Sequence, residues 1–220
     1  MFNIVTIARE YGSGGAAIGR MVAELLNWQL VDKEIIAKAA AMGEVDPSWA
    51  ENADERTCAW WERVLRGFRH GGPELYLGGG MDMEMGHDML QEFTAQVIRE
   101  AGKQGNCVIV GRGSQCVLRN EPRALNVMVY APMMEKLNRV KNRHLHESDL
   151  QALLRSMDSE RAHYTRDYYG CDWSDRGLYQ LCVNSTLGLD ACAKLIVSAI
   201  RLSGTQERPE KKETPALQRG

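Results

Sequence analysis

Strand-like and helix-like hydrophobic patterns alternate along most of the chain. Residues 1–8 alternate and then fill with β-branched side chains, which is typical of a buried parallel strand. A glycine-rich turn follows directly. The apolar residues from Ile18 to Leu26 then fall at helical spacing, which predicts a helix beginning near Gly15. The chain therefore opens as a strand, a glycine loop and a helix.

The same alternation continues towards the carboxyl end. Four more segments have the pattern of strands, namely residues 28–31, 106–111, 125–130 and 179–184. The segments between and after them have helical patterns, namely residues 33–42, 88–102, 133–144, 150–168 and 189–202. Strands that alternate with helices form a sheet covered on both faces. We therefore predict an α/β three-layer sandwich with a mostly parallel, five-stranded sheet.

The pattern also indicates the domain organisation. Residues 1–202 form one predicted domain, because strands and helices alternate throughout it. Within it, residues of about 43–87 lose the periodicity and are interpreted as an insertion that covers the site. The charged helical stretch of about 145–176 is interpreted as a lid. Residues 203–220 are rich in charge and proline, which predicts a flexible tail.

Composition excludes several classes of protein. Twenty-seven basic against 29 acidic residues give a formal charge of −2, so the chain has no overall basic field for binding nucleic acid. No apolar run approaches the roughly 20 residues that span a bilayer, so no membrane association is expected. The six cysteines form no CxxC pair and no leader precedes them, which favours reduced thiols in a soluble, cytoplasmic protein.

The glycine loop is the first candidate for chemistry. A glycine-rich turn between a strand and a helix directs backbone N–H groups and the positive helix end at one point, which suits a phosphate. The GxxxxGK[ST] pattern is imperfect, because Gly15 stands at the lysine position and Ala16 at the hydroxyl position. The loop also matches a variant of the dinucleotide-binding pattern, GxGxxA, in which Ala17 takes the last position. That pattern has an acidic residue about 20 positions further on, and Asp32 has this spacing. A turn that only permits close packing is the remaining alternative.

Four segments carry a resemblance to a known family. They are IAREYGSGG at residues 7–15, VDKEII at 31–36, VIVGRG at 108–113 and YQLCVNST at 179–186. Together with residues 158–170, they resemble the cytidylate-kinase-like family, a branch of the P-loop nucleoside monophosphate kinases. The resemblance covers about residues 1–45 and 88–202 in the right order. Residues 46–87 match nothing in that family.

The resemblance implies a fold and a set of roles. It implies a P-loop NTPase-type fold with an acceptor-binding insertion and a lid. It implies that the substrates are small-molecule nucleotides, with ATP as phosphate donor and Mg²⁺ bridging the donor phosphates. The residues that would hold the ATP phosphates are Gly12, Ser13, Gly14, Gly15, Ala16 and Ala17. Arg112 would bind the acceptor's phosphate, and Arg161 and Arg166 would be catalytic lid arginines.

The residues themselves support three of these sites. Arg112 follows a hydrophobic strand, at the crevice where parallel sheets bind ligands, and a guanidinium fork suits a phosphate; a surface arginine is the alternative. Asp32 also follows a strand; the resemblance implies that it contacts the acceptor, and a cap for the next helix is the alternative. Arg9 begins the glycine loop and could supply the missing positive charge for catalysis, unless it pairs with Glu10 or another acid.

These observations lead to one prediction with two rivals. We predict an ATP-dependent kinase of the nucleoside monophosphate class that phosphorylates cytidylate or a similar acceptor, through positioning and charge balance. A nucleotide-binding module with little turnover is the first rival, because Gly15 and Ala16 replace the common lysine and hydroxyl. A dinucleotide binder of the NAD type is the second. The sequence assigns no metal ligands and no oligomeric state.

Overall fold

The computed structural model describes residues 1–32, 87–141 and 146–204, and the side chains of residues 87–90 and 147 are not included in that description. The described strands are β1 (Ile4–Arg9), β2 (Gln29–Val31), β3 (Cys107–Val110), β4 (Ala124–Tyr130) and β5 (Leu181–Asn184). The described α-helices are α1 (Gly15–Leu26), α2 (His87–Gln104), α3 (Ser114–Val117), α4 (Met133–Val140), α5 (Glu147–Tyr169) and α6 (Leu189–Ser203).

The five strands form one sheet in the order β2-β3-β1-β4-β5. Every neighbouring pair is parallel, so the prediction of a mostly parallel five-stranded sheet is confirmed. β1 lies in the centre, between β3 and β4, and its residues Ile4 to Ala8 are buried. A strand that is buried on both faces needs a continuous run of apolar and β-branched residues, and IVTIA is such a run.

Two apolar clusters cover the two faces of the sheet. The larger cluster joins β1, β3, β4 and β5 to α1 and α6, and includes Ile18, Val22 and Ile196. The smaller cluster packs α2 and α3 against the other face, and includes Ile98, Ile109 and Leu118. The helices thus form the two outer layers predicted for this α/β sandwich.

The element boundaries differ modestly from the predicted ones. α5 is a single helix that begins earlier than predicted, and α6 ends at Ser203, which places that residue in the helix. α3 was not predicted, since four residues are too short for a helical period to be recognised. The predicted helix over residues 33–42, the insertion over 43–87 except for its last residue, and residues 205–220 of the predicted tail lie outside the described residues.

Four of the cysteines are buried in the described structure, namely Cys107, Cys116, Cys171 and Cys192. All of these and the exposed Cys182 are free thiols, as the absence of paired spacing predicts. In the part of the chain that the structure describes, no helix is both long enough and apolar enough to cross a bilayer.

Candidate active site

The glycine loop between β1 and α1 presents a set of open backbone amides. Gly12 and Gly14 have φ values of 78° and 82°, a left-handed conformation that glycine adopts without strain. Gly14 caps α1 without a side-chain hydrogen bond. The amides of Gly12, Gly14, Gly15, Ala16 and Ala17 donate to no other residue of the described chain. Open amides at the start of a helix bind oxyanions well, so the loop has the geometry of a phosphate cradle.

The carbonyl groups of the same loop are held from behind by α4. Arg139 Nη1 donates to the carbonyl oxygen of Ser13 at 3.0 Å and to that of Gly12 at 3.4 Å. It also donates to Ser185 Oγ at 2.8 Å, which ties the loop to the segment after β5. Carbonyl oxygens repel anions. Because Arg139 binds the carbonyl oxygens of the loop, the amide groups are the part of the loop that faces an anionic ligand.

The loop leaves no room for a lysine at the usual position. A Cβ atom at Gly15 would lie 2.5 Å from Cβ and 3.0 Å from Cγ of Arg9. The loop of this chain begins with Arg9, and the side chain of Arg9 passes directly over Gly15. The absence of the lysine is therefore coupled to the presence of Arg9.

Arg9, Arg112 and Arg161 line one cavity of about 390 Å³ at the carboxyl ends of β1 and β3. The Arg9 guanidinium lies against Gly111, where a Cβ atom would fall 1.6 Å from Arg9 Nη1. Burial first, and then the charges of Arg161 and Arg112, lower the pKa of Arg9 to about 10, while Asp32 opposes this shift. Arg9 stays charged at neutral pH, and the three cations repel one another until an anion enters the cavity.

Arg112 is held in a strained turn. Gly111, Arg112 and Gly113 have φ values of 78°, 57° and 69°, and a left-handed conformation is uncommon for an arginine. The Tyr169 hydroxyl donates to the Arg112 carbonyl oxygen at 3.3 Å, and its ring lies over Gly113. Strain of this kind concentrates at functional sites, where the surrounding structure maintains it.

Arg161 comes from the middle of α5 and reaches the start of the glycine loop. Its Nη1 donates to the Arg9 carbonyl oxygen at 2.7 Å, and its guanidinium lies 5.5 Å from the centre of the Tyr11 ring. Burial lowers the pKa of Arg161, although the nearby Asp158 charge opposes that effect. Arg161 thus adds a positive charge on the side of the cavity opposite to the sheet.

A buried ion-pair network connects the loop to α4 and α5. Lys136 Nζ lies 2.7 Å from Glu10 Oε2 and 3.1 Å from Asp158 Oδ2, and its side chain is only 7% exposed. Asp158 Oδ1 also accepts from the Tyr11 amide at 2.6 Å. Burial by itself would lower the pKa of Lys136, but the hydrogen bonds and charges of Glu10 and Asp158 together raise it. The network fixes where α5 stands above the loop, and so where Arg161 points.

The predicted site residues divide into two groups. Arg9, Arg112, Arg161 and the loop residues 12–17 lie around the carboxyl edge of β1 and β3, and Asp32 is close enough to act electrostatically on Arg9. Arg166 is exposed in the last turn of α5 and does not line the cavity. The continuity of α5 explains this, because arginines five residues apart on one helix point in different directions. A catalytic role for Arg166 stays a prediction.

Sequence reasoning overlooked the residues that hold the site from behind. Lys136 and Arg139 belong to this group. Three residues that line the cavity were also overlooked, namely Gln115, Tyr164 and Trp173. Nothing in the spacing of Lys136 distinguishes it from a solvated lysine. The one usable signal was Asp158-x-x-Arg161, which places an acid and a base on one helical face.

The described residues do not fit a magnesium site made by the protein. No group of three or more histidine, cysteine, aspartate or glutamate residues that could hold a metal occurs among them. Ala16 and Ala17 offer no side-chain oxygen, and Glu10 and Asp158 are already paired with Lys136. The Mg²⁺ that the resemblance implies would therefore depend on ligands outside this set, such as the phosphates themselves.

The fold and this site define a P-loop kinase-type protein. A family model described as the cytidylate kinase-like family matches residues 4–187, so the chain belongs to that family. Membership implies, in general terms, the use of a nucleotide such as ATP. No curated protein matches the sequence significantly.

Two of the solved structures that share the fold serve as examples. An uncharacterized protein from Eubacterium ventriosum has a TM-score of 0.64 and 20% identity, over 90% of this chain and 98% of that chain. A shikimate kinase from Acinetobacter baumannii, in complex with shikimate, has a TM-score of 0.52 and 17% identity, over 94% of this chain and 97% of that one. At these identities the likeness concerns the fold alone.

The order of the strands argues against the dinucleotide alternative. In the classic dinucleotide-binding fold β1 pairs with β2, in the order 3-2-1-4-5-6. Here β3 lies between β2 and β1. The GxGxxA match is therefore a coincidence of a glycine-rich loop.

Proposed function

We propose that this protein is an ATP-dependent phosphotransferase whose acceptor is cytidylate or a similar anionic small molecule. The convergence of Arg9, Arg112 and Arg161 on one cavity beside the open amides of the glycine loop carries the proposal. The loop would hold the donor phosphates, and Arg112 the acceptor's anionic group. In the transfer, the bond from the γ phosphorus to the β–γ bridging oxygen breaks as an acceptor oxygen forms the new P–O bond.

The arginines suit this reaction because charge spreads over the oxygens of the migrating group. Such charge is stabilised most by donors already fixed in a site with little water. Arg161 is fixed by the Arg9 carbonyl and by Asp158, and Arg9 by its packing over Gly15 and Gly111. In this proposal Arg9 supplies, from the amino side of the loop, the charge that lysine supplies in the common pattern.

A direct assay tests the proposal. The protein is incubated with ATP, Mg²⁺ and each nucleoside monophosphate in turn, and diphosphate formation is followed by chromatography. We expect turnover with at least one acceptor, and a loss of about 100-fold or more in kcat/KM on Arg9→Ala or Arg112→Ala. Arg155→Ala is the matched control, because Arg155 is exposed on α5 and does not line the cavity. Equal effects of all three substitutions would contradict the proposal.

A nucleotide-binding module without turnover is the second candidate. The steric exclusion of a side chain at Gly15 and the methyl group of Ala16 favour it, because two common catalytic groups are absent. ATP binding by calorimetry, without diphosphate from any acceptor, would decide for this candidate.

Arg166→Ala, measured beside Arg155→Ala in the same assay, tests the predicted catalytic role of Arg166.

A further inference from the structure

Tyr11 stands at the start of the glycine loop, and the reaction outlined above gives it no role. Its side chain packs against an apolar cluster of α4 and α5 that contains Leu137, Leu150 and Leu154. The ring also meets a charge, because the central guanidinium carbon of Arg161 lies over it, 5.5 Å from the ring centre. The face of an aromatic ring attracts a cation, and the attraction is larger where water is excluded.

The hydrogen bonds of Arg161 anchor one end of its guanidinium. Nη1 donates to the Arg9 carbonyl oxygen at 2.7 Å and to Asp158 Oδ1 at 3.4 Å. Neither Nε nor Nη2 of this side chain donates to any residue that the structure describes. Because the second bond of Nη1 is long, the two bonds hold that nitrogen but constrain the rest of the planar group weakly.

The Tyr11 ring supplies the missing constraint. A guanidinium with a ring against one of its faces presents its remaining N–H donors in a defined plane, as a fork that suits the oxygens of a phosphate. Tyr11 is itself held in place, since its amide donates to Asp158 Oδ1 at 2.6 Å. The Arg161 side chain is 24% exposed and lines the cavity with Arg9 and Arg112, so an anion in the cavity can reach it.

We propose that Tyr11 is a positioning residue for anion binding in the cavity. Its ring holds the Arg161 guanidinium in the orientation that binds a substrate phosphate between the three arginines. Tyr11 does not line this cavity, so it acts through Arg161 and not by touching the ligand. The assignment rests on the proposed function, because it takes the cavity to be the acceptor site. A tyrosine that only filled the space beside α4 and α5 would contribute to stability and not to anion binding.

A double-mutant cycle tests whether Tyr11 acts through Arg161. The variants are Tyr11→Leu, Arg161→Met and the combination of both, each made in the full chain. CMP and inorganic phosphate are the probes, and their binding is measured by calorimetry without ATP. The kcat/KM for CMP is measured with ATP. We expect Tyr11→Leu to lower CMP affinity and kcat/KM by about tenfold each. When residue 161 is already methionine, the same substitution should have less than about a twofold effect.

Two further replacements at position 11 separate the face of the ring from its volume. Tyr11→Phe keeps the ring and should bind CMP within about twofold of the wild-type affinity. A phenylalanine with three ring fluorines has nearly the same volume, but the fluorines withdraw electrons from the ring face. Its loss of CMP affinity should therefore approach that of Tyr11→Leu, and it gives the answer even if Tyr11→Leu fails to fold. Tyr130→Leu is the control, because Tyr130 is exposed at the end of β4 and does not line the cavity.

ATP binding distinguishes positioning of Arg161 from damage to the glycine loop. The backbone amides of residues 12–17 are unchanged in Tyr11→Leu, so the affinity for ATP should stay within about twofold of wild type. A tenfold loss of ATP affinity alongside the loss of CMP affinity would overturn the inference. A fluorinated ring that binds CMP as tightly as Tyr11→Phe would overturn it as well.

The outcomes separate this inference from the proposed function. Losses of anion affinity that are not additive in the double variant support the inference even if no nucleotide is phosphorylated. Turnover with additive losses overturns the inference and leaves the kinase proposal intact. Failure of both anions to bind the wild-type protein overturns the inference together with the assignment of the cavity as the acceptor site.

Discussion

The side chain of Arg9 determines what can stand at position 15. A lysine there would place its Cβ and Cγ in the volume that the first carbons of Arg9 already occupy. In the proposed function the Arg9 guanidinium supplies the charge that the loop lacks at Gly15; it lines the cavity and lies against Gly111. A side chain at position 15 therefore requires a change at Arg9 as well.

Gly15→Lys should therefore harm the protein although it restores the common motif. Overpacking in a well-packed site costs about 1–3 kcal/mol, and here it also displaces Arg9 from the cavity. We expect a drop of that size in the free energy of unfolding, measured with urea, and at least tenfold lower kcat/KM.

The control for this substitution is Ala16→Ser, at the next and exposed position. It should change the unfolding free energy by less than about 0.5 kcal/mol. A Gly15→Lys protein with wild-type stability and faster turnover would show that the steric account of the loop is wrong.

At the scale of elements, the network around Lys136 positions α4 and α5 on the glycine loop. Three donors converge on Asp158, namely the Tyr11 amide, Lys136 and Arg161. Glu10 in turn accepts from the Ala131 amide at 3.1 Å, at the junction between β4 and α4. One cation thus holds together the ends of two strands and two helices around the site.

Removing that cation should destabilise the fold. Lys136→Met leaves two partly buried carboxylates facing each other, and breaking a buried pair from one side costs about 3 kcal/mol. Lys194→Met is the matched control, because the Lys194–Asp190 pair is 65% and 70% exposed and an exposed pair contributes only about 0–1 kcal/mol. Urea unfolding of both variants at pH 7 measures the difference, and equal losses would contradict the role of the network.

The pH dependence of this effect has a definite sign. The pKa of Lys136 is raised in the folded state, so its contribution is fully present below the unfolded-state pKa of about 10.4. The contribution is lost as the pH rises through the higher folded-state pKa. The stability gap between wild type and Lys136→Met should therefore stay constant from pH 7 to about 9 and narrow above about 10.4. A gap that narrows on acidification to pH 6 would assign the effect to another group.

The turn between β3 and α3 depends on close packing against the end of α5. A Cβ at Gly113 would lie 2.2 Å from Tyr169 Cε2, whereas a Cβ at Gly170 would meet nothing within 4 Å. Both glycines are left-handed, with φ values of 69° and 61°. Comparing alanine at the two positions therefore separates steric contact from backbone strain.

Gly170→Ala should cost about 1–2 kcal/mol of unfolding free energy, from the left-handed backbone alone. Gly113→Ala should cost about 1–3 kcal/mol more, because it also pushes away the Tyr169 ring that holds Arg112. Denaturant unfolding measures both values. Equal costs would mean that Tyr169 moves aside freely and does not maintain the turn.

At the scale of the whole molecule, the sequence predicts the layers and the edge of the sheet where the site lies. Buried runs such as CVIV and IVTIA are typical of strands covered on both faces, and the glycines that follow them mark the carboxyl edge of the sheet. The strand order was not predictable from periodicity, because neighbouring strands in the sheet are distant in the chain.

The position of a candidate residue was predictable where it lies at the end of a strand, since Arg9 is the last residue of β1 and Arg112 lies two residues after β3. It was not predictable where a helix delivers the side chain from elsewhere. Lys136 and Arg139 look like ordinary helix residues in sequence, and only the packing of α4 against the loop gives them a role. Arg161 and Arg166 show the same limit, since one continuous helix brings the first to the cavity and leaves the second outside.

The whole arrangement predicts which nucleotide the protein binds. The glycine loop leads into α1 from a central strand flanked by β3 and β4, and its amides are open to a phosphate chain. We expect ATP to raise the melting temperature by about 5–10 °C at 100 times its Kd, and NAD to raise it far less. Ala16→Asp should abolish the ATP shift, because it places a negative charge among the amides. It should not lower the melting temperature without ligand, since an acid at a helix start is favourable. Ala16→Ser keeps the site neutral and should retain the shift in melting temperature with ATP. A larger shift with NAD than with ATP would contradict this prediction. An undiminished ATP shift in Ala16→Asp would place the triphosphate elsewhere.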